Sequence, residues 1–202
     1  MASLWYQYAP MNGSKSAQML MAWYNYEEHN NLVMTVKPKI DTRDGNMIKS
    51  RALDYSREAD RVIDKDDIVS ALIIDFAREW GRSSVDVILI DEAQFLTEKQ
   101  VGDLGDIVDN WGITVIAYGL LVDFQGYMFE GSKRLMEIAD KTVEYKTICP
   151  CCKKKALVNM RVDEYGNPVF GGDQIQIGLN YLPVCRKEYK RLKKLHEQGG
   201  KT

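Results

Sequence analysis

Four short runs constrain this chain more than any other feature: Leu4–Tyr8, Leu32–Lys37, Val85–Ile90 and Ile113–Gly119. The first is aromatic-rich, the second is β-branched and stopped by Pro38, and the last two are apolar almost throughout, so each reads as a strand. The segments between them read as helices. Ser14–Glu28 holds good helix formers and no proline. Asp66–Trp80 carries Ile68, Leu72, Ile73 and Phe76 at helical spacing. Thr97–Asn110 sets Val101, Leu104, Ile107 and Val108 on one side, although Gly102 and Gly105 weaken it as a helix. Strands that alternate with helices predict an α/β fold, a mostly parallel sheet flanked by helices on both faces.

The first strand runs into "YAPMNGSKSA", Tyr8 to Ala17, which opens the first helix. Backbone N–H groups in that setting face a phosphate. A phosphate-binding loop is spelled glycine, four residues, then Gly-Lys-Ser or Gly-Lys-Thr. Here Ala9 stands at the first glycine, Ser14 at the second, and Gly13 comes one place early. Taken alone, the stretch also reads as an ordinary turn bearing a lysine. As a P-loop, Met11, Asn12, Gly13 and Ser14 would cradle phosphate, Lys15 would reach the β- and γ-phosphates, and Ser16 would hold Mg²⁺. The third strand ends in "ILIDEAQF", which puts Asp91 at the carboxyl end of a strand, where open α/β sheets bind ligands. Asp91 suits Mg²⁺. Glu92 points elsewhere and can take a proton from an attacking hydroxyl. Lys15, Ser16, Asp91 and Glu92 make a minimal phosphoryl-transfer set, and they do not decide between a hydrolase and a kinase.

Near Thr147 the pattern changes to turn-rich sequence, short of helix signals until about Arg186. We therefore expect a nucleotide-binding core over 1–146, a small domain over 147–193 and a tail over 194–202. The basic stretch Lys187 to Lys201 reads as a solvated last helix with a frayed end. All four cysteines fall after residue 148, a local cluster and not a disulfide framework. Composition narrows the function classes. A chain of 202 residues with 45% hydrophobic content can build a core, and a net charge of −2 argues against a nucleic-acid binder. No apolar run approaches the ~20 residues of a membrane span, and no signal peptide is evident, so a cytoplasmic protein without a membrane partner is expected.

Seven blocks together resemble the type II thymidine kinases, compact deoxynucleoside kinases of bacteria, animals and large phages. They are "YAPMNGSKS", "VKPKIDTRDG", "ILIDEAQFL", "VIAYGLLVDFQG", "FEGSKRLMEIADK", "TICPCC" and "VCRKEY", and they cover nearly the whole chain. The resemblance implies transfer of the ATP γ-phosphoryl group to the 5′-hydroxyl of thymidine, giving dTMP. It makes Glu92 the catalytic base and Asp91 the Mg²⁺ residue. Asp41 and Arg43 come near the phosphates, with Arg43 neutralising transferred charge. Met11, Phe95, Leu120 and Phe124 would line the thymine pocket, and a lasso bearing Ile175, Ile177, Gly178 and Tyr181 would close over it. It further implies a structural Zn²⁺, a homotetramer and dTTP as a feedback inhibitor.

Several positions depart from the family pattern. The last zinc ligand is usually Cys or His, and this chain has Glu188, so the expected set is Cys149, Cys152, Cys185 and Glu188, with Cys151 as a spare thiol. The lasso, "IGLNYLPVC", is two residues shorter than usual. In the phosphate loop the usual order is "YGPMNSGKS". If position 14 needs positive φ, Ser14 costs about 1–2 kcal/mol, roughly a 5- to 30-fold loss of nucleotide affinity. Alternatively Gly13 takes over the unusual angle. Exchanging the two residues is expected to tighten ATP binding. These departures motivate a second reading, a kinase fold with weak or lost catalysis that binds nucleosides or partners. A third, a DNA-stimulated motor suggested by "DEAQ", is opposed by a chain too short for two motor domains.

Overall fold

The computed structural model describes residues 1–50, 52–176 and 180–199. In chain order the elements are β1 (Leu4–Tyr8), α1 (Lys15–Glu28), β2 (Val33–Pro38), β3 (Met47–Ser50), β4 (Tyr55–Glu58), β5 (Arg61–Ile63), α2 (Val69–Glu79), β6 (Val87–Ile90), α3 (Glu98–Trp111), β7 (Thr114–Gly119), α4 (Glu130–Ile138), β8 (Lys141–Glu144), β9 (Val158–Val162), β10 (Pro168–Val169), β11 (Asn180–Val184) and α5 (Arg186–Gly199). Six strands form one parallel sheet in the order β5-β2-β6-β7-β1-β8. All their carboxyl ends therefore share one edge.

Period-two alternation sorts the strand residues between two cores. Leu4, Tyr6, Met34, Val36, Ile88, Ile90, Val115 and Ala117 pack with Ile73 and Phe76 of α2, Leu104 and Ile107 of α3 and Leu135 of α4. The alternate residues Val33, Val87, Leu89, Ile116 and Tyr118 pack with Met19 and Leu20 of α1. Helices thus lie on both faces, as predicted, but α1 shares its face with the β3–β4 hairpin, which contributes Ile48 to that core. Arg57 of the hairpin stacks 4.1 Å above the Trp23 ring of α1.

α3 forms despite its glycines. Thr97 and Gln100 make a reciprocal capping box, and Gly112 closes the other end at φ 67. The four positions named from its periodicity are all buried. α4 starts against the turn after β6, where a Cβ on Gly131 would lie 2.5 Å from the Leu96 carbonyl oxygen. Only glycine allows that approach.

Beyond β8 the chain builds a separate antiparallel sheet, β10-β9-β11. Its core is Cys149, Ala156, Val158, Met160, Val162, Val184 and Cys185, with Tyr189 and Leu192 of α5 packed on it. Among the described residues, no helix is long and apolar enough to cross a membrane.

Candidate active site

The loop after β1 and the ends of β2, β6 and β7 surround a cavity of about 410 Å³. Its walls are the whole loop from Met11 to Ser16 together with Asp41, Arg43, Asp91 and Glu92. Every residue expected to handle phosphate or Mg²⁺ is therefore in one place. Lys37 and Lys49 also line this cavity and were not singled out in the sequence.

Ser14, at the N-cap of α1, has φ 58 and ψ 22, the left-handed region. Asn12 is left-handed as well, at φ 61, and Gly13 is not. The possibility that Gly13 takes over the unusual angle is thus corrected. Gly13 is needed for space. A Cβ there would lie 2.3 Å from the Ala9 Cβ, 2.9 Å from the Pro10 carbonyl oxygen and 3.0 Å from Thr147 Oγ1. Positions 9 and 13 cannot both carry a side chain. Exchanging Gly13 and Ser14 alone, expected above to help, would create this clash.

Lys15 is buried, and its Nζ lies 3.4 Å from the Ala9 carbonyl oxygen and 3.3 Å from that of Pro10. Burial pulls its pKa below the ordinary lysine value, while Glu92 and Asp91 pull the other way. Ser16 Oγ donates to Asp91 Oδ2 at 3.4 Å, which joins the two residues expected to hold Mg²⁺. Burial, helped by the neighbouring charge of Glu92, pushes the Asp91 carboxyl up to about 7, against the pull of Lys15. A carboxylate that burial discourages from ionising gains most from a divalent cation, so the donor pair fits Mg²⁺.

Glu92 leaves β6 in the left-handed region, φ 49 and ψ 39, a strained backbone for a non-glycine residue. The turn swings its side chain away from Asp91 and into a chain of ion pairs. Arg43 NH2 donates to Glu92 Oε1 at 2.5 Å, and Arg43 Nε donates to Asp41 Oδ1 at 2.7 Å. Lys37 Nζ lies 3.2 Å from Asp41 Oδ2 and also donates to the carbonyl oxygens of Gly45 and Met47. Burial works against the charge on Asp41, but Arg43 and Lys37 outweigh it and hold the carboxyl below its ordinary range. Burial likewise opposes the guanidinium, yet Glu92 and Asp41 hold its proton more firmly than usual.

A narrower cavity of about 50 Å³ adjoins the first, and Arg43 and Gln94, the two partners of Glu92, are among its walls. Met11, Phe95, Leu120, Phe124, Ile175 and Tyr181, six residues expected around the base, all line it. Ile177 and Gly178 lie outside the described residues. Met11, Arg43 and Leu120 belong to both cavities. Phe95 meets Phe129 edge-on at 5.8 Å, a firm apolar wall.

Two residues of β9 tie this cavity to the rest, and neither was foreseen. Asn159 Oδ1 accepts from the Met11 N–H at 2.6 Å, across 148 positions of sequence. Arg161 is fully buried, sits 3.7 Å over the Phe124 ring and donates to the carbonyl oxygens of Gly171 and Asp173. Asp123 adds a third tie, accepting from Gln174 Nε2 at 2.8 Å. No sequence signal marks such long-range partners.

The thiols of Cys149, Cys152 and Cys185 all lie within 4.8 Å of one another, a donor set compatible with zinc. Burial opposes ionisation of Cys149, but main-chain N–H groups of Cys185, Cys151 and Cys152 outweigh it and lower the thiol to about 7. Glu188, expected as the fourth ligand, is not brought into this trio. Arg191, one turn further along α5, takes both of its carboxylate oxygens, at 3.0 and 2.5 Å.

A sequence model described as "Thymidine kinase" matches residues 2–189. Two proteins named thymidine kinase, from Streptococcus pyogenes serotype M3 and Streptococcus agalactiae serotype Ia, are each 44% identical to the chain over 191 residues, 94% of this chain and 97% of theirs. Among solved structures, a Pif1 helicase from Candida albicans aligns with a TM-score of 0.41 at 18% identity, covering 73% of this chain and 36% of that one.

Proposed function

The chain belongs to the thymidine kinase family, and from that premise we infer that it transfers the γ-phosphoryl group of ATP to the 5′-hydroxyl of thymidine. The observation that carries the reading is that the wide polar cavity, which Glu92 lines, shares the walls Met11, Arg43 and Leu120 with a narrow apolar one. ATP enters the first, with the loop N–H groups and Lys15 on its phosphates. Thymine enters the second, between Phe95, Leu120 and Phe124. The 5′-hydroxyl then meets Glu92, which accepts its proton as the oxygen attacks phosphorus. Arg43 is positioned to move its charge onto the transferred group. Ser16 and Asp91 would hold Mg²⁺, which neutralises phosphate charge when bound. Cys149, Cys152 and Cys185 would hold Zn²⁺, which staples the small sheet when bound; the fourth ligand is Cys151 or Glu188. Tyr181, Ile175 and the lasso residues Ile177 and Gly178 are assigned to the base. The division into a core over 1–146 and a small domain over 147–193 is supported by the separate parallel and antiparallel sheets, whereas the expected tail over 194–202 begins within α5.

A kinase fold without turnover is not favoured by a family match over nearly the whole chain. The family resemblance further supports a homotetramer, a cytoplasmic location and dTTP as an inhibitor. The deciding assay gives purified protein ATP, Mg²⁺ and thymidine. We expect dTMP, and a loss of 10²–10⁴-fold in kcat for Glu92→Gln, the range for general-base catalysis. No dTMP above the level of that variant refutes the reading.

A further inference from the structure

Glu92 has two neighbours of different character. Arg43 reaches Oε1 from a loop, and its side chain is 31% exposed. Gln94 reaches Oε2 from within the 3-10 turn Ala93–Phe95 and is 2% exposed. The Gln94 amide is oriented without ambiguity. Its Oε1 accepts from the Leu120 N–H at 2.9 Å, and a main-chain N–H can only donate. The Nε2 must therefore face Glu92 Oε2, which it meets at 2.5 Å. Gly119 makes the seat. A Cβ there would lie 2.8 Å from Gln94 Oε1 and 3.1 Å from Gln94 N. The end of β7 is thus shaped to hold this one amide against this one carboxylate.

We propose that Gln94 is the positioning residue for the base: its buried amide keeps Oε2 occupied, so that Oε1 is the atom that receives the 5′-hydroxyl proton once Arg43 turns to the phosphoryl group. The proposal rests on reading Glu92 as the base. Gln94 is the permanent partner because it is buried and locked by Leu120, and Arg43 is the exchangeable one because its loop is open to solvent. Without the Gln94 amide, Glu92 keeps a strained backbone and loses one of the two groups that fix its rotamer. A displacement of about 1 Å at a reacting group costs on the order of 100-fold in rate.

Two variants test this beside wild type, with kcat, the KM of thymidine and of ATP, and melting temperature measured for each. Gln94→Met removes both hydrogen bonds at similar volume. Gln94→Glu keeps an acceptor for the Leu120 N–H and sets a second carboxyl against Glu92. We expect both to lower kcat about 10- to 100-fold, with both KM values within about threefold of wild type. If Gln94→Glu has wild-type kcat, the amide serves only to brace Leu120, and the proposal fails. If kcat holds and thymidine KM rises, Gln94 is a base contact, and the proposal again fails. If Gln94→Met does not fold, the near-isosteric Gln94→Glu decides alone. Wild type without dTMP formation would be a different failure, that of the kinase reading itself.

Discussion

The phosphate loop and the cysteine knuckle each depart from the family spelling, and the protein absorbs the two departures differently. In the loop the function belongs to the backbone. N–H groups bind phosphate whatever side chains they carry, provided the path of the chain is kept. Ala9 and Gly13 keep it by sharing one space, and Ser14 keeps it by accepting a left-handed angle. In the knuckle the function belongs to side-chain atoms. Glu188 has both its oxygens engaged by Arg191, so as a ligand it would have to share them with that guanidinium or leave it. A site defined by conformation tolerates rewriting if the sterics balance; a site defined by donor atoms does not.

The sharpest way to break this comparison is to unbalance the loop. In Gly13→Ser the new Cβ meets Ala9 and a main-chain carbonyl, neither of which can swing away. Overpacking of this kind costs about 1–3 kcal/mol, and the loop moves to relieve it. We expect kcat/KM for ATP to fall about 100-fold. Adding Ala9→Gly should restore part of the loss, because it removes the 2.3 Å contact and leaves the 2.9 Å one with the Pro10 carbonyl. Wild-type kinetics for Gly13→Ser alone would show that the loop path is not what matters.

Metal removal tests the other side. Structural zinc contributes about 10–16 kcal/mol in small zinc-dependent peptides, more than a sheet of three short strands can replace. Chelation or Cys152→Ser should lower the melting temperature and raise thymidine KM, by about tenfold, more than ATP KM. The asymmetry is expected because Tyr181 is part of this sheet, whereas the phosphate loop leaves β1 and is tied to the sheet through Asn159. Glu188→Ala should purify with its zinc. Loss of the metal from that variant would mean that the carboxylate leaves Arg191 for the ion.

The central sheet was legible because its strands are nearly continuous apolar runs, which the burial of a parallel sheet requires on both faces. β5 and β8 were not, and for a physical reason. They are three- and four-residue edge strands, "RVI" and "KTVE", partly exposed and too short to show a period. The β3–β4 hairpin hid behind charged residues such as Lys49 and Arg57. Within the site, Lys15, Asp91 and Glu92 were readable from local motif context. Arg43, Phe95 and Phe124 needed the family resemblance, since a charged turn and apolar side chains carry no signature of their own. Asn159 and Arg161 were invisible, because their meaning lies in partners on other elements.

A subtler contrast concerns charge, and pH exposes it. Asp91 titrates at about 7 in the free protein, against an ordinary value near 3.9. A carboxyl raised in the folded state stabilises the fold below its ordinary value and loses that contribution as pH rises towards 7. Free protein should therefore lose some stability across roughly pH 4 to 7 through this group, and Asp91→Asn should lack that slope. Mg²⁺ needs the ionised form, so the affinity for Mg·ATP should rise with pH and level off near pH 8. Between pH 6 and 8 the ionised fraction grows roughly tenfold for a group titrating near 7. Titration calorimetry at both values checks it, and a pH-independent affinity would mean that the buried carboxyl is already charged.

The smallest effect separates folding from binding at Ser14. The sequence alone suggested that strain at this residue would weaken nucleotide binding. The left-handed angle belongs to the folded loop at the N-cap of α1, so we expect the strain to be met on folding and to cancel between free and bound protein. Ser14→Gly should therefore act on stability. Relief of about 1–2 kcal/mol is offset by the greater freedom of glycine in the unfolded chain, about 0.5–1 kcal/mol. That leaves a melting temperature higher by about 2–4 °C, with the ATP dissociation constant within about twofold of wild type. If affinity tightens and stability does not move, the loop adopts this angle only when nucleotide arrives, and the cradle is induced, not preformed.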